Sequence, residues 1–526
     1  MFRNWPLAAL VFLALPPQPL RSSADDAQDL RALGRRIYHE GRLASGAPVK
    51  ATVLGDVPVD GSQFSCLHCH RSSGLGTSES RIRVLPVDGP DLFSPRTGVY
   101  RGRPAYTDDT LAELLRTGRD PAGAPIDPLM PRYDLPALEM KALIAYLRSL
   151  SASYSPGVAE DTIHFATVVT SDAPAANSQA MLDVLDAFVR AKNAETRAEG
   201  RRAQAGPFYH EYRNKAYRKW VLHVWRLRGN PSEWRRQLEG EYARQPVFAV
   251  LSGMGSSTWA PVHGFCEDMQ LPCLLPNIDV PPSTTGDFYT LYFSKGLALE
   301  AEIVATDLAH EKHLREIVQV FRPGAAGAEA AASLHRAAAK TGRLRILDIP
   351  VETAAAGGLR SARPDAIVLW LTPADMELVR EPGAARLYIS STLAGGASRV
   401  PDRLRRNAQL IHPYSLAPDF DGRSVRERAF FQAHGITLMP ETERVQLQTY
   451  FACQVLGGAL MHIKRRFYRD YLMDTIDHAQ RMAAFTAVYP RLSFGPGQRY
   501  LAKGAFLVPL DSPVAADAAR WIVPAL

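Results

Sequence analysis

The residues best equipped for chemistry stand near the start of the chain, where positions 66 to 70 read Cys-Leu-His-Cys-His. Two thiols separated by two residues and followed at once by an imidazole match the C-x-x-C-H spacing of covalent haem attachment. The spacing has a chemical reason. Cys66 and Cys69 can each form a thioether with one of the two porphyrin vinyl groups, and His70 then lies beneath the iron as an axial ligand. A zinc site needs four ligands, and no second cysteine pair completes one. A thioredoxin-like site lacks the surrounding βαβ pattern and leaves His70 unexplained. The other axial ligand is expected on a loop before the last helix of the domain, and Pro128-Leu129-Met130-Pro131 fits. Flanking prolines predict a stiff, extended backbone presenting the Met130 thioether. Met140 reads as core filler, and His68 is too close to the attachment loop to reach the opposite face. A histidine ligand and an open position are the alternatives to Met130. The expected complement is one haem c.

Two helical stripes bracket this segment and must hold it. Leu30, Leu33, Ile37 and Tyr38 form the first, and Leu138, Leu143, Ile144, Leu147 and Leu150 the second. Gly34 in the first stripe predicts a close approach of the two helices. With these features, residues 29–151 resemble class I cytochrome c. The resemblance implies an all-α domain packed around a haem, one ring edge exposed, shuttling single electrons. Thioether ligation implies an intermediate-to-high reduction potential. Arg81, Arg83, Arg101 and Arg103 are candidates to pair with haem propionates, or are ordinary surface residues.

The chain has 526 residues, more than one core usually organises, so at least two domains are expected. Arg3, the apolar run Leu7 to Leu15 and the small residues Ser22-Ser23-Ala24 read as an export signal over 1–24. The run is too short to span a bilayer as a helix. A periplasmic protein with no membrane span after cleavage is expected. An oxidising compartment permits a disulfide, and Cys266 with Cys273, flanking the helix-to-strand turn Glu267 to Pro272, is the one local candidate; free buried thiols are the alternative. Cys453 reads as core. The net charge of +7 is modest. Basic residues from Arg197 to Arg244 interleave with Tyr209, Tyr212, Tyr217, Trp220 and Trp225, a pattern that nucleic-acid binders use. Export excludes that partner and leaves a solvated face or a docking surface for an acidic protein.

After a Ser/Pro-rich linker over 152–160, β-rich runs alternate with helical ones: 163–169, 221–227, 247–251, 316–321, 344–349, 366–371 and 387–390. This alternation predicts parallel α/β architecture, whose ligands bind outside the carboxyl ends of the strands. One such end runs Ser252-Gly-Met-Gly-Ser-Ser-Thr258 into a helix. Its hydroxyls either cap the helix or help backbone N–H groups hold an anion. No G-x-G-x-x-G is present, so a dinucleotide site is not supported.

That turn, Leu271-Pro-Cys-Leu-Leu-Pro276, and Phe494-Gly-Pro-Gly-Gln-Arg499 leading into Gly504-Ala-Phe-Leu-Val508 make 161–515 resemble type I periplasmic solute-binding proteins of the Leu/Ile/Val-binding kind. The resemblance implies two discontinuous α/β lobes closing on a small molecule, with Glu441 to Lys464 returning to the first lobe. It further implies that Ser256, Ser257 and Thr258 grip a ligand carboxylate, with Asn277 on the next loop. Two departures qualify the ligand: Arg322-Pro323 stands where the family often presents an aromatic, and no acidic residue is evident for an amino group.

The expected fold is therefore an all-α cytochrome c domain followed by a two-lobed α/β domain. The expected function is periplasmic electron transfer coupled to a small-molecule-binding domain. Partners would be periplasmic electron donors and acceptors, with a quinoprotein dehydrogenase as one candidate by analogy with similar cytochromes. A solute receptor for ABC-type uptake, or a ligand or redox sensor with an accessory haem, is the alternative. A di-haem peroxidase needs two attachment motifs, and no catalytic set can be assembled from the remaining residues.

Overall fold

The computed structural model describes residues 23–79, 82–97, 102–196, 218–283, 285–311, 313–340, 342–359, 363–380, 383, 385–416, 423–478, 488–511 and 518–524. Export-signal residues 1–22, Tyr209, Tyr212, Tyr217, Arg81, Arg101 and the side chain of Arg83 lie outside the described residues. The chain divides into two compact units, 1–153 and 154–526.

In the first unit, α1 (Ser23–Glu40) packs against α5 (Ala137–Ser149). Gly34 makes the contact possible: a Cβ there would lie 2.0 Å from the Ala142 carbonyl oxygen and 2.7 Å from the Tyr146 Cβ. Between them come α2 (Cys66–His70), α3 (Gly89–Leu92) and α4 (Asp108–Thr117). Thr107 caps α4 by accepting the Thr110 N–H, and Gly118 ends it in the left-handed conformation. The core includes Ile37, Tyr38, Leu111, Leu115, Leu143 and Leu147. Leu138 departs from the expected stripe and is 57% exposed.

The expectation of an all-α domain needs correction. Strands β1 (Lys50–Val53) and β2 (Val57–Asp60) form a hairpin, β3 (Ser78–Glu79) and β4 (Ile82–Arg83) a second small ribbon, and β5 (Arg132–Asp134) adds to β1 as a third antiparallel strand. The β1–β2 turn exists because Leu54 and Gly55 both take positive φ, 54° and 102°. The sheet braces the loop that carries Met130, and the Leu54 N–H also donates to the Pro128 carbonyl at 2.9 Å.

The second unit is α/β with two sheets. In the first lobe β6 (Thr162–Val169), β7 (Lys219–Arg226), β8 (Ala249–Leu251), β9 (Cys273–Leu274) and β10 (Thr290–Leu291) run parallel in the order β10-β9-β8-β6-β7. In the second lobe β11 (Glu316–Phe321), β12 (Arg345–Pro350), β13 (Ala366–Trp370), β14 (Arg386–Ser390) and β15 (Ala408–His412) are parallel, ordered β12-β11-β13-β14-β15. The sheet is then mixed: β16 (Ala505–Pro509) and β17 (Arg520–Ile522) continue it antiparallel, so the unit extends past residue 515.

The helix Glu443–Ile463 returns to the first lobe, burying Phe451, Cys453 and Leu456 with Phe165, Phe248 and Leu274. Trp220 and Trp225 are core residues rather than members of an aromatic surface. The start of the expected linker is structured: the Ser155 N–H donates to the Phe467 carbonyl at 3.1 Å, and Arg469 donates to the Phe248 and Val247 carbonyls in the same corner. Among the described residues, no helix is long and apolar enough to cross a membrane.

Candidate functional sites

In the first unit the five-residue helix α2 carries Cys66, Cys69 and His70. Cys69 is exposed, Cys66 is half-buried and His70 is buried. Hydrogen bonds fix both ends of the segment. The Tyr133 hydroxyl donates to the Phe64 carbonyl ahead of the motif, and the Tyr38 hydroxyl to the Arg71 carbonyl behind it, each at 2.7 Å. Burial pushes the Cys66 thiol up to about 12, opposed by its hydrogen bond with Tyr133.

The imidazole of His70 is oriented for ligation. Its Nδ1 lies 3.0 Å from the Leu85 carbonyl, to which it donates in the neutral tautomer. Its Nε2 is buried and has no hydrogen-bond partner among the described residues. Burial lowers its pKa to about 4, against the bond to Leu85, so the ring is neutral near pH 7 and Nε2 keeps its lone pair. An orphaned buried acceptor costs about 1–3 kcal/mol in a folded protein, and coordination to iron would relieve it. The donor set therefore fits a haem.

Met130 is half-buried and packs against the first unit's core. Its loop is brought beside the Cys66–His70 segment by Tyr133, three residues on, whose hydroxyl donates to the Phe64 carbonyl. The backbone is not extended as the prolines predicted. It turns instead, with the Met130 N–H donating to the Asp127 carbonyl at 3.1 Å and the Leu129 N–H to the Asp127 carboxylate at 2.9 Å. The Arg132 guanidinium holds the Met130 carbonyl. Met140 is buried in the core. Arg103 is committed elsewhere, its guanidinium donating to the carbonyls of Asp91, Leu92, Ser94 and Pro104. Sequence reading placed Tyr38 in an apolar stripe without its hydrogen-bonding role and missed the roles of Leu85 and Tyr133, and only the β-branched hairpin pattern of 50–60 hinted at what steadies the loop.

In the second unit the Ser252–Thr258 turn lies at the carboxyl end of β8. Ser252 has φ 57°, and Gly253 lies where a Cβ would be 2.6 Å from Trp259. Just ahead of the following helix the Thr258 hydroxyl accepts the Ala260 N–H at 3.2 Å. The Ser257 N–H donates at 2.7 Å to the carboxylate of Asp172, whose other oxygen accepts the Thr170 hydroxyl at 2.5 Å. Burial tends to raise the Asp172 pKa, but bonds from Ser257, Thr170 and the Ser256 N–H outweigh it and hold the carboxyl below its ordinary value.

Asn277 is buried beside this turn, its amide donating to Ser252 Oγ at 2.9 Å and Thr449 Oγ1 at 3.1 Å, while its Oδ1 has no partner. Two residues on, Asp279 begins a chain of contacts linking the lobes. Arg444 donates to Asp279 at 2.9 Å and to the Tyr414 hydroxyl at 3.0 Å. That hydroxyl meets Thr392 Oγ1 at 2.9 Å, which donates to Glu300 Oε1 at 2.6 Å. Glu300 is fully buried, with Oε2 unpartnered. Burial raises its pKa to about 7, against hydrogen bonds from Ser390 and Thr392.

Acidic groups are thus present that the sequence did not reveal. Arg322, in the place of the expected aromatic, is ion-paired with Asp375 and Glu352 at the carboxyl edge of the second sheet. Cys266 and Cys273 are free and buried.

Residues 61–151 match the Cytochrome c family model. No match was found among curated protein sequences. Among solved structures, a branched-chain amino acid ABC transporter protein from Thermus thermophilus with bound valine is 11% identical at a TM-score of 0.50, covering 70% of this chain and 96% of that one. The leucine-binding protein of Thermotoga maritima is 10% identical at 0.47, covering 69% and 98%. The Streptococcus pneumoniae branched-chain amino acid binding protein in complex with isoleucine is 14% identical at 0.48, covering 69% and 100%.

Proposed function

From a cytochrome c domain joined to a domain of the ABC substrate-binding-protein fold, we propose a periplasmic single-electron carrier whose second unit binds a small molecule. One haem c would be attached through Cys66 and Cys69, with His70 and Met130 as its axial ligands. The observation that carries this reading is the buried, partnerless Nε2 of a neutral His70, oriented through Nδ1 by Leu85. When bound, the haem supplies reversible one-electron chemistry. The chain supplies the rest. The cysteines anchor, Tyr133 and Tyr38 fix the attachment segment, and the β1–β5 sheet steadies the Met130 loop.

The donor and acceptor would be periplasmic proteins, a quinoprotein dehydrogenase among the candidates. Residues 1–24 would be removed on export, and Cys266 and Cys273, both free and buried here, are the candidate pair for a disulfide in an oxidising compartment. A potentiometric titration of purified holoprotein tests the reading: one single-electron couple at one haem per chain is expected, and two haems or an irreversible response would contradict it. The second reading, a solute receptor for ABC-type uptake with an accessory haem, is favoured by the fold shared with the valine-bound protein. It requires a diffusible solute that closes the lobes.

A further inference from the structure

The backbone N–H groups of Ser256 and Ser257 sit where a βα turn opens at the carboxyl edge of a parallel sheet. This geometry receives anions. Here the anion comes from the chain itself. Asp172, on the loop after β6, is 85 positions away in sequence, yet its carboxylate takes the Ser257 N–H at 2.7 Å and the Thr170 hydroxyl at 2.5 Å. A neighbouring polar group points the same way. Asn277 donates both its bonds into the protein and leaves Oδ1 as a buried acceptor without a donor among the described residues. An unpartnered acceptor and a filled anion seat match a ligand that brings hydrogen-bond donors. A carboxylate would meet repulsion from Asp172 and find the Ser257 N–H taken.

We propose that Asp172 is a specificity-determining residue that plugs the Ser256–Ser257 anion seat, so that the second unit takes cationic or uncharged donor-bearing ligands, amines or polyols, and rejects carboxylates. This rests on the reading of the second unit as a small-molecule binder. Met254 connects the seat to the rest of the edge: its N–H donates to the Val168 carbonyl at 2.8 Å, its carbonyl accepts the Thr170 N–H at 3.0 Å, and it bridges to Asn277.

The test uses full-length holoprotein labelled with 15N-serine and titrated with sodium acetate against sodium chloride. In the unmodified protein the Ser256 and Ser257 amide signals should stay still. In Asp172→Ala they should move saturably, with acetate bound about tenfold or more tighter once a like charge some 4 Å away is gone. If the alanine variant does not fold, Asp172→Ser opens the same seat. Signals that move in the unmodified protein, or stay still in a folded variant, overturn the proposal. A thermal-shift screen of amines, polyols and carboxylates on the unmodified protein separates the two levels: a carboxylate hit overturns the plug, whereas no hit of any class contradicts the binding reading and leaves the acetate result standing.

Discussion

The attachment segment of the first unit and the Ser252–Thr258 turn of the second are both short and polar, and they end in opposite states. His70 presents a buried nitrogen that none of the described residues satisfies. The N–H of Ser257, equally suited to a ligand, is already taken by Asp172. An open donor site announces the group it awaits. A filled one reports what it refuses, and an inventory of side chains alone does not separate the two.

The largest expected effect is at the open site. Replacing Cys66 and Cys69 together by alanine should abolish covalent haem, read as loss of all haem stain on a denaturing gel; stain that persists would mean attachment elsewhere. Next comes the helix crossing behind that site. Gly34→Val forces a Cβ to 2.0 Å from a backbone oxygen, and should destabilise the first unit by about 3 kcal/mol in denaturant melts; an unchanged midpoint would show that the α1–α5 contact is looser than described.

Glu300 sharpens the comparison from the other side. Its folded pKa, about 7, lies above the ordinary glutamate value of 4.5 because of burial. The native state therefore binds more protons between those values, and stability is full below pH 4.5 and lost as pH rises through 7. Glu300→Gln should remove this dependence, gaining up to about 3 kcal/mol over the unmodified protein at pH 8 relative to pH 4. Parallel pH curves for the two proteins would contradict it. The smallest effect belongs to Thr258, whose hydroxyl accepts the Ala260 N–H just ahead of a helix: Thr258→Ala should cost about 1 kcal/mol of stability, and a much larger loss would mean a role beyond this bond.

What the sequence made legible follows the range of the interactions. Cys66, Cys69 and His70 are neighbours, so their chemistry is written in adjacent letters. Gly34 was readable because a glycine inside an apolar helical stripe has few other uses. The strand at Glu316–Phe321 and the return of the helix Glu443–Ile463 to the first lobe followed from pattern and resemblance. The β1–β2 hairpin was missed although Val-Leu-Gly-Asp-Val carries its signal, because helical stripes on both sides dominated the reading. Asp172 and Glu300 were out of reach: their partners lie 85 and 92 positions away, and neither belongs to a local motif. Arg322 was noticed as a departure, but its pairing with Asp375 and Glu352 needed the fold.

The central claim, a haem held between His70 and Met130 for electron transfer, is tested most directly by absorption spectra of oxidised and reduced holoprotein beside Met130→Ala. The account predicts a thioether-to-iron charge-transfer band at the red end of the oxidised spectrum, absent from the variant, and no carbon monoxide adduct in the reduced unmodified protein. A missing band, or ready carbon monoxide binding before any mutation, would contradict it and leave the iron open for sensing or catalysis.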